Sequence, residues 1–413
     1  MDARRVVVTG LGAVSPLGND AKTTWENMKN GVNGIDTVTK FDITDYKSTL
    51  AGEVRNFNAA LYMPKGEIRK TDLYAQYALA AAVQAYEDAG FLESGAPESE
   101  RFGVYIGSGI GGIHTLVEEN TKMVTTGTPR VSPYFVPKMI TNIASGLVAI
   151  RFHAQGPNFA IASACATSTN SIGEAFHAVK HGYADVILAG GSEAAILPIT
   201  FAGFISCQAL TQTADRERGS IPFDRERSGF VMGEGGAVLV LEEYEHAKAR
   251  GARIYAEICG YGATDDAYHV TAPDPSAAAS SRAVAIAAKE AGVVAGDGNV
   301  YVNAHGTSTP LNDRTETLAL KRAFGQDAYK LRVSSTKSMT GHMLGAAGGI
   351  EALASVMALY DGVVPPTINY REPDPDCDLD ITPNTARDAK LAYALSTSLG
   401  FGGHNACIAF RKM

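Results

Sequence analysis

Short apolar runs rich in β-branched residues recur along the chain and alternate with helical stretches. "RRVVVTG" (4–10), "RFGVYIGSG" (101–109), "ADVILAGG" (184–191), "GAVLVLEE" (236–243), "NVYVNAHG" (299–306), "LRVSSTK" (331–337) and "AYALSTSLGF" (392–401) read as strands buried on both faces. Between them, Ile172, Ala175, Phe176 and Val179 keep helical spacing, as do Ile350, Leu353, Met357 and Tyr360. The pattern predicts an α/β protein with largely parallel strands. It also repeats weakly. "RRVVVTGLGAVS" (4–15) resembles "ARIYAEICGYGAT" (252–264), and "ASACATSTNSIGEAF" (162–176) resembles "SSTKSMTGHMLGAAGGIEAL" (334–353). Two similar halves follow, residues 1–250 and 251–413, tightly packed because no Pro- or Ser-rich linker separates them.

Composition narrows the function classes. The 413 residues are 45% hydrophobic and 19% charged, as in a globular protein with a sizeable core. No apolar run is long enough to span a membrane, and the start lacks the hydrophobic stretch and cleavage site of a signal peptide, so a cytoplasmic location is expected. The five cysteines, Cys165, Cys207, Cys259, Cys377 and Cys407, are scattered and form no CxxC pair, so free and mostly buried thiols are expected. A net charge of −8 argues against nucleic-acid binding.

The glycine-rich segments "VTGLGAVSPLG" and "IGSGIGGIH" do not complete a dinucleotide fingerprint, since Ser15 stands at the third glycine position; tight turns and close backbone approach account for them better. Cys165 lies where a helix should begin. There it is either a small core residue or a thiol whose pKa is lowered by the helix N-terminus. "NAHGTSTPLNDRTE" puts His305 directly after a buried strand, where α/β proteins place ligands. "SSTKSMTGHMLGAAGG" supplies Lys337 and His342. If the halves are copies, Cys165 and His342 sit at corresponding helix starts and face one another. A thiol with two imidazoles suits acyl transfer through a thioester, the imidazoles donating through Nε2 to a carbonyl that becomes an enolate. A cysteine hydrolase is the competing enzyme reading.

Over nearly its whole length the chain resembles the β-ketoacyl-acyl-carrier-protein synthases, in "RRVVVTGLGAVSPLG", "PFDRERSGFVMGEGGAVLVLE", "NAHGTSTPLND", "STKSMTGHMLGAAGGIEA" and "SLGFGGHNA". The resemblance implies the thiolase-like fold, two pseudo-symmetric halves in five layers, α-β-α-β-α, as a homodimer. It implies Cys165 as nucleophile, His305 and His342 as stabilisers of the enolate formed when malonyl carrier protein loses carbon dioxide, and a 3-oxoacyl product two carbons longer. Lys337 would support the site and pair with Glu316, with Asp313 also supporting it. The oxyanion hole would be the N–H groups of Cys165 and Phe401, with Phe401 as gatekeeper on a loop freed by Gly402. Thr307 and Thr309 would bind the phosphopantetheine arm, and Ile110 and Phe204 would wall the acyl pocket. Lys65, Arg69, Lys70 and Arg130 would dock acyl carrier protein, Gln208 standing where relatives have another arginine. No cofactor is implied beyond a structural Na+ or K+ at Asn303, Glu351 and Ser396; Thr397 replaces an asparagine there, and His404 replaces a threonine in a structural role.

Overall fold

The computed structural model describes residues 4–413; the first three residues, which belong to the segment read for a signal peptide, lie outside them. One order of elements is used twice. The first half runs β1 (Val6–Val14), α1 (Leu73–Asp88), β2 (Phe102–Gly107), α2 (Ile143–Phe152), β3 (Asn158–Phe159), α3 (Thr167–Lys180), β4 (Val186–Glu193) and β5 (Gly235–Glu243). The second runs β6 (Ala256–Asp265), α4 (Ala278–Ala291), β7 (Val300–Asn303), α5 (Pro310–Phe324), β8 (Arg332–Ser334), α6 (Ala347–Asp361), β9 (Tyr393–Gly400) and β10 (His404–Arg411). From the middle outward the strands lie β1-β5-β4-β2-β3 on one side and β6-β10-β9-β7-β8 on the other, the same permutation in each half. The halves join where β1 and β6 pair antiparallel, Val6–Val8 against Ala256–Ile258.

The strands are less parallel than the apolar runs suggest. In each half the outer three are parallel, β3-β2-β4 and β8-β7-β9. The inner pairings, β4-β5, β5-β1, β9-β10 and β10-β6, are antiparallel. The reason is visible between β9 and β10: residues 401–403 make a hairpin, far too short for the crossover that parallel strands need.

Alternate residues of each strand feed different cores. Ile187 and Ala189 of β4, with Ile408 and Phe410 of β10, pack on the central helices α3 and α6. Val186 and Leu188 face α1 and α2 instead, while Cys407 and Ala409 face α4 and α5. The layers are therefore helix, sheet, helix, sheet, helix, the thiolase-like arrangement that the resemblance implies. The paired glycines of β1, Gly10 and Gly12, and their repeat in β6, Gly260 and Gly262, serve the same packing. A Cβ on Gly10 or Gly12 would come 2.1 or 1.9 Å from carbonyls of α1, and one on Gly260 or Gly262 would come 2.2 or 2.1 Å from carbonyls of α4. Close helix–strand approach, and not phosphate binding, explains them. Among the described residues no helix is long and apolar enough to cross a membrane.

Candidate active site

The site lies at the carboxyl ends of the strands, where both central helices begin. Cys165 occupies a tight 3-10 turn, Ala164–Ala166, that runs into α3, and Ala164 carries the strained φ of +49°. The repeat reproduces this elbow as Leu344–Ala346 before α6, with Leu344 also at +49°. The counterpart of Cys165 is thus Gly345, and His342 comes three residues earlier than the symmetry argument placed it. The thiol still meets the imidazoles: the sulfur and one nitrogen each of His305 and His342 lie within 4.8 Å of one another.

Both histidines are buried, at right angles, with ring centres 5.2 Å apart. Burial and then the charge of Lys337 hold both pKa values well below 6.5, so both rings are neutral near pH 7. Their hydrogen positions follow from their partners. Lys337 Nζ stands 3.3 Å from His305 Nδ1, and the Leu344 N–H donates to His342 Nδ1 at 3.3 Å. With Nδ1 accepting, Nε2 carries the hydrogen in each ring and is free to donate. Cys, His and His are also a zinc-like donor set, but a metal at Nε2 would need Nδ1 protonated, facing an ammonium or an N–H. The arrangement suits an anionic oxygen better.

Two expectations need correction. The first is the pairing of Lys337 with Glu316. Lys337, 1% exposed, pairs with Glu351 of α6 and donates to the His305 carbonyl at 2.6 Å. Glu316 is already engaged: it accepts the N–H groups of His305 and Gly306, each at 2.7 Å, and the Thr397 hydroxyl at 2.6 Å. It supports the site by holding the backbone of the His305 loop. Asp313 does similar work one turn earlier, accepting the Phe223 N–H at 2.8 Å. The second correction is the thiol pKa. Burial pushes Cys165 up to about 12, although Lys337 and the Phe401 N–H pull it down. A helix terminus contributes typically about 0.3–1 kcal/mol, less than one pKa unit, and desolvation of the half-buried thiol outweighs it.

The Phe401 N–H points at the Cys165 sulfur. It can do so because Gly400 lies against the elbow: a Cβ there would come 2.8 Å from the Ser163 carbonyl and 3.2 Å from the Cys165 nitrogen. Gly402 follows in the left-handed region at +93°, and the Phe401 ring tilts over Phe204 at 6.4 Å. Phe401, Phe204, Ile110 and Thr307 line, with the three reactive residues, one cavity of about 450 Å³. Thr309 lines it too, 3.0 Å from the Thr307 hydroxyl, while its oxygen also caps α5. The residue missed in the sequence is Glu193, fully buried at the end of β4. It accepts from Ser108 at 2.9 Å, Gly109 at 2.9 Å, Ile110 at 3.1 Å and Gly345 at 3.0 Å, binding the Ile110 loop to the start of α6. The signal for it was an acid closing the apolar run "VILAGGSE".

Away from the reacting groups, Asn303 Oδ1, Ser396 Oγ and Glu351 Oε2 are buried oxygens without a hydrogen-bond partner, and Asn303 and Ser396 are neighbours across β7 and β9. An all-oxygen set fits a hard cation. Lys65, Arg69, Lys70 and Arg130 are exposed, and Lys70 lies 5.5 Å over the Tyr134 ring, which draws the two basic segments together. His404 lies on the surface 3.6 Å from Asp265, apart from the histidine pair. Of the other cysteines Cys377 and Cys407 are buried, but Cys207 is exposed.

Comparison with known proteins agrees with this architecture. The model for "Beta-ketoacyl synthase, N-terminal domain" matches residues 3–247, and that for "Beta-ketoacyl synthase, C-terminal domain" matches 255–371. The chain is 52% identical over 409 residues to 3-oxoacyl-[acyl-carrier-protein] synthase 2 of Staphylococcus aureus (strain COL), covering 99% of this chain and 98% of that one. It is 48% identical over 413 residues to the protein of the same name from Synechocystis sp., covering 100% and 99%. Among solved structures, a type II PKS ketosynthase in complex with its acyl-carrier protein superposes with a TM-score of 0.91 at 35% identity, over 100% of both chains. A β-ketoacyl synthase from Burkholderia phymatum gives 0.91 at 34% identity, over 99% and 100%.

Proposed function

The chain belongs to the β-ketoacyl synthase family, and on that premise we propose that it is a 3-oxoacyl-[acyl-carrier-protein] synthase that elongates fatty acyl chains. The Cys165 thiol attacks the thioester of an acyl carrier protein; the acyl group moves to sulfur, and the thiol proton passes to the departing pantetheine thiolate. Malonyl carrier protein then enters. Its carboxylate leaves as carbon dioxide, and the electron pair moves into the thioester as an enolate whose oxygen accepts from Nε2–H of His305 and of His342. The enolate carbon attacks the acyl carbonyl on Cys165. The oxygen of that tetrahedral centre accepts from the N–H groups of Cys165 and Phe401, and collapse releases the 3-oxoacyl carrier protein and the Cys165 sulfur, which takes up a proton.

The observation that carries this reading is the pair of neutral imidazoles, each with a donor on Nδ1 and each beside the same thiol. A hydrolase would need one of them as a base toward water, yet both present hydrogens and not lone pairs to the cavity. Thr307 and Thr309 take the pantetheine arm in this reading, Ile110 and Phe204 bound the acyl chain, and the basic group at Lys65, Arg69, Lys70 and Arg130 receives an acidic carrier protein. Asn303, Ser396 and Glu351 would hold a Na+ or K+ ion that neutralises buried charge behind the site. A homodimer belongs to the same reading and is supported by the exposed edge strand β3, where Phe159 is 56% exposed. So does a cytoplasmic location, a reducing compartment that leaves Cys165 free. The test is to supply acyl carrier protein and malonyl carrier protein labelled in the carboxylate. Label released as carbon dioxide together with a 3-oxoacyl carrier protein two carbons longer supports the assignment; release of free fatty acid instead overturns it.

A further inference from the structure

The two histidines come from separate loops, and their spacing depends on what ties those loops together. Residues 227–233, "RSGFVMG", bond to the loop that carries one and to the backbone of the other. At one end the buried Arg227 donates to the carbonyls of Thr309 at 3.2 Å and Pro310 at 3.1 Å. Gly229 N–H adds a bond to the Ser308 carbonyl at 3.0 Å. These carbonyls belong to the loop that begins with His305. At the other end the His342 N–H donates to the Val231 carbonyl at 2.7 Å, and the Gly233 N–H donates to the His342 carbonyl at 2.8 Å. Between them the Phe230 ring packs edge-on against the His342 imidazole at 5.3 Å. The segment is a strap, fastened to one histidine loop and bracketing the other.

Arg227 is its anchor. The guanidinium also donates to the Asp224 carbonyl at 2.9 Å and to Asp374 at 2.5 Å, and lies 3.6 Å from Asp313 in the first turn of α5. A planar fork can make all these bonds at once, whereas the point charge of a lysine cannot. We infer that Arg227 is a positioning residue for the condensation step: through the 227–233 strap it sets the distance between His305 and His342 at which both can donate to one enolate oxygen. It touches neither substrate nor reacting atom. The Cys165 elbow and the Phe401 loop make none of these bonds, so the transfer of the acyl group to sulfur, compared at saturating carrier protein, is separable from the strap even though Thr307 and Thr309 serve both half-reactions.

The inference rests on the synthase reading, and separate assays distinguish the failure of each. In Arg227→Lys, decarboxylation of malonyl carrier protein should fall by about tenfold or more, because 1 Å misplacements can cost about a hundredfold. Acyl transfer to Cys165 should stay within about twofold of wild type. Asp374→Asn, which loosens the anchor and keeps the arginine, should shift the same ratio in the same direction by less, and serves if Arg227→Lys does not fold. Equal loss of both half-reactions, or no loss in either variant, overturns the inference and leaves Arg227 a purely structural residue. Absence of decarboxylation in the wild type overturns the synthase reading itself.

Discussion

Lys337 Nζ stands 3.3 Å from Nδ1 of His305 and so decides which nitrogen of that imidazole offers a hydrogen to the cavity. The same ammonium pairs with Glu351 and bonds the His305 carbonyl at 2.6 Å. One buried charge therefore fixes the ring's tautomer and its backbone together, and lowers the pKa of both histidines.

Replacing that lysine separates the effects. Lys337→Met leaves the Glu351 carboxyl buried without its partner, a loss that typically costs about 3–5 kcal/mol of stability. The double variant Lys337→Met/Glu351→Gln should recover much of the melting temperature. It should remain at least about a hundredfold slower in malonyl decarboxylation, because the His305 tautomer is no longer held. Thermal unfolding and carbon dioxide release on the same preparations check both statements.

The pH dependence follows from the neutral rings. An imidazole that must be neutral to work loses activity as pH falls through its own pKa, and here both values lie well below 6.5. Decarboxylation should be flat from about pH 6.5 upward, with its acid limb displaced below the ordinary imidazole value of about 6.5. In the Lys337→Met/Glu351→Gln variant the limb should move upward, since the charge that lowers both rings is gone. An acid limb centred above 6.5 in the wild type would contradict the buried, neutral pair.

Cys165 should behave as a thiol, not as a resting thiolate. With its pKa pushed up to about 12 by burial, alkylation by iodoacetamide should accelerate about tenfold per pH unit from 7 to 9. A plateau reached near pH 7 would mean that the helix start outweighs burial.

Gly400→Ala tests the contact between β9 and the elbow. The new methyl would meet the Ser163 carbonyl at 2.8 Å and the Cys165 nitrogen at 3.2 Å, pushing the Phe401 N–H away from the sulfur. Loss of one oxyanion donor costs about 10²–10³ in rate, so formation of acyl-Cys165 should slow by about that factor. Circular dichroism should remain that of the wild type.

Charge reversal at Arg69 and Lys70 should raise KM for carrier protein several-fold and leave kcat nearly unchanged, with the difference shrinking at high salt. Unchanged KM would make these residues an ordinary solvated surface.

Much of this architecture was legible in the chain because strands buried on both faces leave continuous apolar runs, and because a duplicated half leaves its glycines at matching places. Gly10 and Gly12 answer to Gly260 and Gly262 through the same helix contacts. Strand direction was not legible: an apolar run carries no sign of whether its neighbour returns through a hairpin, as β9 and β10 do. Cys165, His305 and His342 stood out by their places at strand and helix ends and by family resemblance. The partner of Lys337 did not, since Glu316 and Glu351 are both buried acids on helices and only three dimensions reveal that Glu316 already holds three donors. Glu193 was hidden for a related reason, as its work is to satisfy backbone N–H groups that no sequence pattern marks.

Cys165 and the histidine pair divide the labour between them, and the most direct measurement follows both half-reactions in two variants. Intact mass after mixing with acyl carrier protein reports loading, and carbon dioxide release from malonyl carrier protein reports decarboxylation. Cys165→Ala should take up no acyl group yet still release carbon dioxide, while His342→Ala should load the acyl chain and release little. Carbon dioxide release that disappears with Cys165, or loading that disappears with His342, would contradict that division.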